Sequence, residues 1–283
     1  MIRAIITAYH PSASAGLNAE AIAKQVDELI VCDNSPKSNA ALFEKAHYVW
    51  FGENRGLSGA FNAVLKDPKI PWCDEDMVIF FDQDSSVQEG HIANMVAEFK
   101  RIKGIGCLGP VYFNTSSGLV ERPKSRTPVT KDSYAVAGLI TSSMLTTYDN
   151  LRKVGFWNEE VFLDMADWEL CWRMIARGML CCMTEVATLR HSLGSGEKKI
   201  GPIRLRVGSA FREYYQIRDG LYLLGKRYTP LKFKIRLLLM LFLRSPLHIL
   251  FLDQKRARAR YIARGIGDFL RGERGELKQG EGK

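Results

Sequence analysis

Cysteine is scarce in this sequence, and its spacing excludes two kinds of small domain. The 283 residues include six cysteines, and no two of them form a Cys-x-x-Cys pair. Neither a zinc ribbon nor a disulfide framework is therefore predicted, and a reducing compartment fits. The composition, 46% hydrophobic and 25% charged residues, is that of an ordinary globular protein with one large α/β domain and an appendage.

The N-terminus lacks the pattern of a secretory signal peptide. Such a signal needs a basic stretch followed by a long apolar region. The apolar start of the sequence, MIRAIITAYHPSA, is instead broken by Tyr9, His10 and Pro11. We interpret it as a first β-strand and expect a cytoplasmic protein.

An apolar run of membrane-spanning length is also missing from the most apolar segment, residues 231–252. Its longest uninterrupted apolar run is seven residues, Leu237 to Leu243, whereas a spanning helix needs about 20. Positive charge is concentrated here instead. Residues 226–264 hold eleven Lys or Arg and one Asp, while the chain before them sums to −1. This asymmetry predicts a localised anionic partner and argues against a nucleic-acid-binding protein.

Two interpretations of the C-terminal helices are open. Apolar stretches flanked by basic residues and by the run KRARAR (residues 255–260) fit helices that lie in a membrane interface, where apolar burial and attraction to anionic lipid add. Alternatively, these helices pack on their own domain or form the interface of a homo-oligomer, with the basic run as a solvated face. We divide the chain into a main domain, residues 1–224, and a basic helical segment, residues 225–283.

Strand-like and helix-like segments alternate over the first 110 residues. The helix-like segments carry apolar residues at three- and four-residue spacing. Apolar strands are predicted at residues 2–8, 28–33, 47–51, 77–82 and 105–109. This alternation predicts an α/β fold with a mostly parallel central sheet and helices on both faces. Ligands of such sheets bind at the carboxyl ends of the strands.

Polar side chains collect at four consecutive strand ends. The four groups are Thr7, Tyr9 and His10; Asp33, Asn34 and Ser35; Glu53, Asn54, Arg55 and Gly56; and Asp82, Gln83, Asp84 and Ser85. A turn or a helix N-cap explains any one of them, but four in succession favour a ligand-binding crevice.

Asp82 and Asp84 follow the apolar run VIFF. Two carboxylates one residue apart repel each other, and their position at the end of a buried strand is costly without compensation. A magnesium or manganese ion that also binds a diphosphate supplies this compensation. The pair therefore predicts a metal–diphosphate site, although an Asp-x-Asp alone is common in surface loops.

The order of the motifs resembles the glycosyltransferase family 2 enzymes of GT-A fold, and most closely their rhamnosyltransferase-like branch. The resemblance covers about residues 2 to 222 and rests on VCDNS, ENRGLSGAFNAVL, IFFDQDSS, FLDMADWELCWR and LRHSLG. It implies a Rossmann-like GT-A domain over residues 1–224. It also implies a metal-dependent inverting glycosyltransferase that moves a sugar, with L-rhamnose from dTDP-L-rhamnose expected, to a hydroxyl of a bacterial cell-surface glycan or lipid-linked acceptor.

The resemblance also implies roles for individual residues. Those expected to bind the nucleotide sugar are Thr7, Tyr9, Asp33, Asn54, Arg55, Gly56, Asp82 and Gln83. A divalent Mg²⁺ or Mn²⁺ is expected on Asp84, with Asp82 and His191, and no redox cofactor is needed. For Arg55, contact with phosphate and a solvent-exposed role are both open.

The acceptor side is expected around a helix that begins near Ala166, because Trp168, Cys171 and Trp172 recur at helical spacing. Capping explains one of the carboxylates at its start. Inverting transfer needs a carboxylate base, and the resemblance implies Asp167. On the acceptor side it implies Asp164, Glu169, Tyr214, Tyr215 and Arg218, the last three in a segment of helical periodicity at residues 204–224. Which acid takes the proton is open, and core packing explains one of the tyrosines.

Two other functions are open. One is a family 2 enzyme that uses a UDP-hexose or another donor, and the other is a non-catalytic nucleotide-sugar-binding protein associated with a membrane. For the enzyme we expect a peripheral location at the inner face of the cell membrane, where a lipid-anchored acceptor would be met.

Overall fold

The computed structural model describes residues 1–114, 119–123, 127–191, 197–200, 203–206 and 208–277. The chain forms two compact units. The first comprises Met1–Asn158 and Asp167–Ser192, and the second Glu159–Ala166 and Leu193–Lys283. These units do not divide at residue 224, because the helix before that residue packs within the second unit. The predicted extent of the catalytic domain concerns function and stays a prediction.

Within the described ranges, a ten-stranded sheet forms the centre of the first unit. Its strands are β1 (Ile2–Ala8), β2 (Glu28–Asp33), β3 (His47–Trp50), β4 (Met77–Asp82), β5 (Ile105–Asn114), β6 (Leu119–Glu121), β7 (Thr127–Pro128), β8 (Ser133–Ala135), β9 (Met144–Thr147) and β10 (Leu180–His191). The order is β3-β2-β1-β4-β9-β5-β10-β8-β7, with β6 on β5. All five predicted strands form, and the α/β architecture is confirmed.

Strands β1 to β4 pair in parallel, and β5 pairs in parallel with β10. Strand β9 runs antiparallel between β4 and β5 and makes the sheet a mixed one. The strand–helix alternation gives no indication of β9, since it lies beyond the region where that pattern is regular. In the parallel part, the register places Thr7 beside Asp82 and Ala8 beside Asp33.

Helices cover the sheet of the first unit. They are α1 (Ala13–Ala23), α2 (Gly56–Leu65), α3 (His91–Arg101), α4 (Tyr148–Val154) and α5 (Ala166–Ala176), and a short 3₁₀ turn spans Ala40–Leu42. Residues 78–81 of β4 are completely buried, as expected of a parallel strand covered on both faces. Helix α5 begins at the predicted residue, Ala166.

The described residues of the second unit form a two-stranded antiparallel sheet and four helices. Its elements are β11 (Glu197–Ile200), β12 (Ile203–Arg206), α6 (Ala210–Leu224), α7 (Leu231–Leu239), α8 (Ser245–Phe251) and α9 (Lys255–Leu270), with a π-helical turn at Met240–Arg244. The prediction of helical structure from residue 204 is wrong, because residues 203–206 form a strand. The helix begins after Ser209, which occupies the N-cap position and favours such a start.

Candidate active site

Gln83 joins the loop after β4 to the loop after β1. Its side-chain Oε1 accepts a hydrogen bond from the Tyr9 peptide N–H at 2.7 Å, and its Nε2 donates to the Tyr9 carbonyl at 3.2 Å. Asn18 of α1 donates to the Gln83 carbonyl. These bonds fix the Tyr9 backbone while its ring stays exposed. Gln83 therefore shapes the crevice through its amide, and direct contact of Tyr9 and Gln83 with a donor stays a prediction.

Asp33, at the end of β2, is completely buried. Its carboxylate accepts hydrogen bonds from the Ser35 peptide N–H (2.8 Å), the Asn39 amide (2.9 Å) and the Tyr48 hydroxyl (2.5 Å). Burial raises the pKa of Asp33, but these donors outweigh burial and hold the pKa below its usual value. As placed, Asp33 organises the turn after β2. Its contact with a nucleotide base stays a prediction.

Asn34 fixes the start of α2. Its Oδ1 accepts from the Arg55 peptide N–H, and its Nδ2 donates to the Gly56 carbonyl, both at 3.1 Å. Asn54 caps the same turn by accepting from the Gly56 peptide N–H at 3.0 Å. Gly56 has φ +67°, a left-handed conformation that costs glycine nothing. Asn54 and the first residue of α2, Gly56, are thus held by hydrogen bonds at the start of this helix.

The Arg55 side chain lies over the Phe51 ring at 4.6 Å and pairs with Glu53 at 3.0 Å. It is about half exposed, so the structure is compatible with both roles predicted for it.

The carboxylate of Asp82 is held from the loop before β9. Ser142 is buried, and its hydroxyl donates to Asp82 Oδ2 at 2.5 Å. The Ser85 hydroxyl in turn donates to the Ser142 hydroxyl at 3.0 Å. Next to them, Ser143 with φ +65° contacts the His91 Nε2 through its hydroxyl at 2.7 Å. Burial lowers the pKa of His91 from 6.5 to about 4, so this imidazole is neutral at pH 7.

Asp84 differs from Asp82, because its carboxylate is exposed. Within the described ranges its side chain has no hydrogen-bond or ion-pair partner. An exposed carboxylate beside a second one that is fixed in place fits a hard divalent cation, which prefers oxygen ligands and keeps room for water and phosphate. Asp82 and Asp84 therefore fit Mg²⁺ or Mn²⁺. The side chain of His191 lies outside the described residues, so its predicted place in this metal site stays a prediction.

The carboxylates around α5 fall into different environments. Asp167 is partly exposed, and its Oδ1 accepts from the Trp168 peptide N–H at 2.8 Å. Glu169 is completely buried and is bound by Arg173, whose Nε lies 2.8 and 2.9 Å from its two oxygens. As placed, Asp167 is accessible for proton transfer, whereas Glu169 holds Arg173 and can influence an acceptor only through other residues.

In the second unit, Asp164 accepts hydrogen bonds from Arg212 and Gln216 of α6. Tyr214 and Arg218 are buried, and the Arg218 Nη1 donates to the Tyr214 hydroxyl at 3.1 Å. Tyr215 stacks on Phe162 with ring centres 4.9 Å apart. The alternative of core packing therefore describes both tyrosines. The acceptor-side roles of Tyr214, Tyr215 and Arg218 stay predictions. Because these residues are buried, they would act on an acceptor through other residues.

The sequence patterns do not indicate Ser142, Ser143 or His91. Ser142 and Ser143 lie in the segment ITSSML, and His91 opens α3. The one available signal was a polar Thr-Ser-Ser directly before the apolar residues that become β9. Nothing local connects that tripeptide with Asp82, which is 60 residues away along the chain.

Similarity to known proteins agrees with this geometry. The family model for glycosyl transferase family 2 matches residues 4–158. A curated relative, the dTDP-rhamnosyl transferase RfbF of Shigella flexneri, is 26% identical in an alignment 258 residues long that covers 83% of this chain and 83% of that protein.

Solved structures share the fold at low sequence identity. GalNAc-T7 with UDP, GalNAc and Mn²⁺ has a TM-score of 0.59 at 12% identity, and the match covers 96% of this chain but only 56% of that one. The mannosyltransferase PcManGT of Pyrobaculum calidifontis, in complex with GDP-Man and Mn²⁺, has a TM-score of 0.59 at 13% identity, with 94% and 75% covered. The TarS 1-349 fragment of S. aureus has a TM-score of 0.55 at 15% identity, with 95% and 80% covered.

These neighbours are glycosyltransferases of the GT-A fold, which confirms the expected fold. The family model spans more than half of the chain and includes the strand ends that carry Asp33, Asn54, Asp82 and Asp84. The chain belongs to glycosyl transferase family 2 and is a glycosyltransferase, and its similarity to a dTDP-rhamnosyl transferase agrees with the expected resemblance to the rhamnosyltransferase-like branch.

Proposed function

We propose that this glycosyltransferase is metal-dependent and inverting, and that it transfers L-rhamnose from dTDP-L-rhamnose to a hydroxyl of a bacterial cell-surface glycan or lipid-linked acceptor. The observation that carries the proposal is the pair at the end of β4, an exposed Asp84 carboxylate beside an Asp82 carboxylate held by Ser142. The name of the Shigella flexneri relative, a dTDP-rhamnosyl transferase, supports the donor. The sugar and its nucleotide are thus inferred from similarity and not from contacts.

Asp82 and Asp84 would hold Mg²⁺ or Mn²⁺, with His191 as a further ligand. When bound, a divalent cation neutralises charge on the departing diphosphate, which makes this group a better leaving group. Two of the solved relatives contain Mn²⁺, in line with this role. The chain's own part is to keep two oxygen ligands in place: Ser142 orients Asp82, and Gln83 fixes the loop between them to the Tyr9 backbone.

The base in this proposal is Asp167. Inverting transfer brings the acceptor hydroxyl to the face of the sugar opposite the leaving nucleotide, and a carboxylate there takes the hydroxyl proton as the new glycosidic bond forms. Asp167 lies at the first turn of α5 with one oxygen bound to a peptide N–H, which restrains its side-chain rotation. Glu169 would support the site through Arg173, and Asp164, Tyr214, Tyr215 and Arg218 are proposed for the acceptor side.

We also propose a cytoplasmic enzyme that works at the inner face of the cell membrane, with residues 225–283 as the attachment segment. The excess of basic residues in this segment supports the proposal. A homo-oligomer formed through the same helices is the alternative.

The first experiment is a donor screen that measures release of nucleoside diphosphate from a panel of nucleotide sugars, with and without Mn²⁺ or Mg²⁺. We expect slow, metal-dependent hydrolysis of dTDP-L-rhamnose that is lost in Asp84→Ala. Turnover of a UDP-hexose in its place would assign the alternative donor. Because hydrolysis without acceptor is slow, donor binding is measured calorimetrically in the same samples.

Asp167→Asn separates the base from the donor site. We expect it to bind the donor like the parent protein but to transfer sugar at least about 100-fold more slowly, the usual range for a lost general base. Transfer at the parental rate would show that another acid is the base. If no nucleotide sugar binds or reacts with metal present, the catalytic proposal fails and a non-catalytic membrane-associated role takes its place.

A further inference from the structure

A stripe of large apolar side chains lies exposed along α7 and the π-helical turn of the second unit. We refer to it as the apolar stripe, and its members are Leu231, Ile235, Leu238, Leu239, Phe242 and Leu243. Phe242 is 78% and Leu231 73% exposed. Two more exposed apolar residues, Leu250 and Phe251, follow in α8. Isolated exposed apolar residues are ordinary on a protein surface, but a contiguous patch marks an interaction site.

The apolar stripe occupies one face of its helix. Its members recur at spacings of three and four residues, which places them on the same side of a helix. Leu237, on the opposite side, is buried, as are Ser245 and His248 farther along. A surface helix normally buries its apolar face and exposes its polar one. Here the second unit uses one face for its own packing and leaves a second apolar face in contact with water.

Basic side chains flank the apolar stripe. Lys232 and Arg236 are exposed and Lys234 is half-buried. By helical spacing, Lys232 and Arg236 lie along one edge of the stripe and Lys234 along the other. Residues 226–264 contain a single acid, Asp253. Long basic side chains at the edges of an apolar face reach outward to anionic groups while their methylenes cover apolar surface.

The run KRARAR is less available to a partner than its sequence suggests. Arg258 is buried, and its Nη1 donates to Glu213 Oε1 at 2.9 Å. Its Nε and Nη2 donate to the carbonyls of Asp253 and Gly208, both at 2.8 Å. The expectation that the whole run forms a solvated or lipid-facing surface is therefore wrong for Arg258, because its guanidinium is used inside the second unit. Lys255, Arg256 and Arg260 stay exposed.

A membrane-spanning role has no support in the described part of the chain, where no helix is both long and apolar enough to cross a bilayer. We propose that the apolar stripe and Phe251 insert into the interface of an anionic phospholipid bilayer, with α7 and α8 lying in the membrane plane. The flanking basic side chains would contact lipid phosphates. This deepens the proposed membrane attachment and is independent of which sugar is transferred.

A bilayer fits this surface better than a second copy of the chain. In a two-fold symmetric contact the same patch meets itself, so the basic edges of the two copies would come close together. Like charges across an interface oppose association. An anionic bilayer has an apolar interior that the stripe can enter and negatively charged headgroups that the basic residues at both edges of the stripe can contact.

The test uses the full chain and lipid vesicles of two compositions, phosphatidylcholine alone and phosphatidylcholine with phosphatidylglycerol, in a flotation assay. We expect the parent protein to bind the anionic vesicles. The pair Phe242→Glu and Leu243→Glu should lower the partition coefficient by at least about tenfold, because two charges replace two exposed apolar side chains of the stripe. Leu17→Glu is the control, since Leu17 is an exposed leucine in α1, outside the apolar stripe, and it should bind like the parent.

Two further variants identify the contact. Lys232→Gln with Arg236→Gln, along one edge of the stripe, should weaken binding less than the glutamate pair does. Phe242→Trp provides a probe of insertion, and its fluorescence emission, compared with that of the parent protein, should shift to shorter wavelength when anionic vesicles are added. Circular dichroism confirms that each variant is folded.

The possible failures have different meanings. Equal binding by the glutamate pair and the parent, or an unshifted emission from the bound Phe242→Trp variant, overturns the assignment of the contact face while membrane attachment stands. Absence of parent binding to either vesicle removes membrane attachment altogether. In that case, a dimer seen by analytical ultracentrifugation and dissociated by the glutamate pair assigns the stripe to self-association. The proposed sugar transfer is measured by nucleoside diphosphate release and is unaffected by any of these results.

Discussion

The Ser142 hydroxyl donates a 2.5 Å hydrogen bond to Oδ2 of Asp82, joining the loop before β9 to the end of β4. Ser142 is buried and has no counterpart among the residues that the sequence patterns identified. Its position makes it a positioning residue for the proposed metal site, because it fixes one carboxylate while Asp84 stays exposed.

Replacement of Ser142 by alanine should weaken binding of the activating metal ion. A hydrogen bond to a charged group contributes about 1.5 to 3 kcal/mol, so we expect the metal concentration for half-maximal activity to rise by roughly 10-fold or more. The measurement is a Mn²⁺ titration of nucleoside diphosphate release. Ser86→Ala, at an exposed neighbouring serine, is the control. An activity loss in Ser142→Ala that saturating Mn²⁺ does not reduce would contradict the positioning role.

Replacement by alanine should have different effects at Asp33 and Asp84: it should lower stability at Asp33 and turnover at Asp84. Asp33 is buried with three hydrogen-bond donors, and loss of its carboxylate removes an acceptor from each of them, at a cost of about 1 to 3 kcal/mol in unfolding free energy. Asp84 is exposed, and its replacement should change that free energy by less than about 0.5 kcal/mol while abolishing metal-dependent turnover. Urea unfolding followed by circular dichroism measures the first effect. A destabilised Asp84→Ala protein would show that this carboxylate has a structural role.

His91 should make stability depend on pH. Burial lowers its pKa from 6.5 to about 4 in the folded protein, so between these values the unfolded chain binds a proton that the folded one does not. Stability should therefore fall as pH decreases through this range, and the loss attributable to His91 reaches about 3 kcal/mol below pH 4. Urea unfolding at a series of pH values tests this. In His91→Gln the slope between pH 6.5 and 4 should be shallower, and an unchanged slope would refute the assignment.

Arg218 and Asp219 form a completely buried ion pair in the second unit, with Nε to Oδ1 at 2.7 Å. Burial raises the pKa of Asp219 despite the neighbouring guanidinium. Arg218→Leu leaves this carboxyl without its partner and should cost about 3 to 5 kcal/mol in unfolding free energy. The exposed Arg227→Ala is the control.

A double-mutant cycle tests whether the pair itself is responsible. Adding Asp219→Asn to Arg218→Leu should restore part of the lost stability, because the uncompensated charge is removed. If the double variant is less stable than Arg218→Leu alone, packing rather than charge determines the effect.

The sequence by itself determined the α/β class, the five strands that carry the polar ends, and the start of α5. These features follow from local periodicity, since a buried parallel strand is a continuous apolar run and a helix repeats every three or four residues. The candidate site, including Asp82 and Asp84, follows from the same reasoning, because strand ends of one sheet converge at one edge. The motif order also identified the family.

Only the tertiary structure decided which of the predicted carboxylates are buried and which are exposed. Asp33 accepts a hydrogen bond from the Tyr48 hydroxyl of the neighbouring strand, and Glu169 is bound by Arg173. Both carboxylates are buried. The sequence marks these residues as acidic but does not specify their partners. The sequence patterns likewise do not indicate Ser142 or β9, because their contacts join parts of the chain that are far apart in sequence. Such long-range pairing depends on how the whole sheet folds, and the local periodicity of the sequence does not predict it.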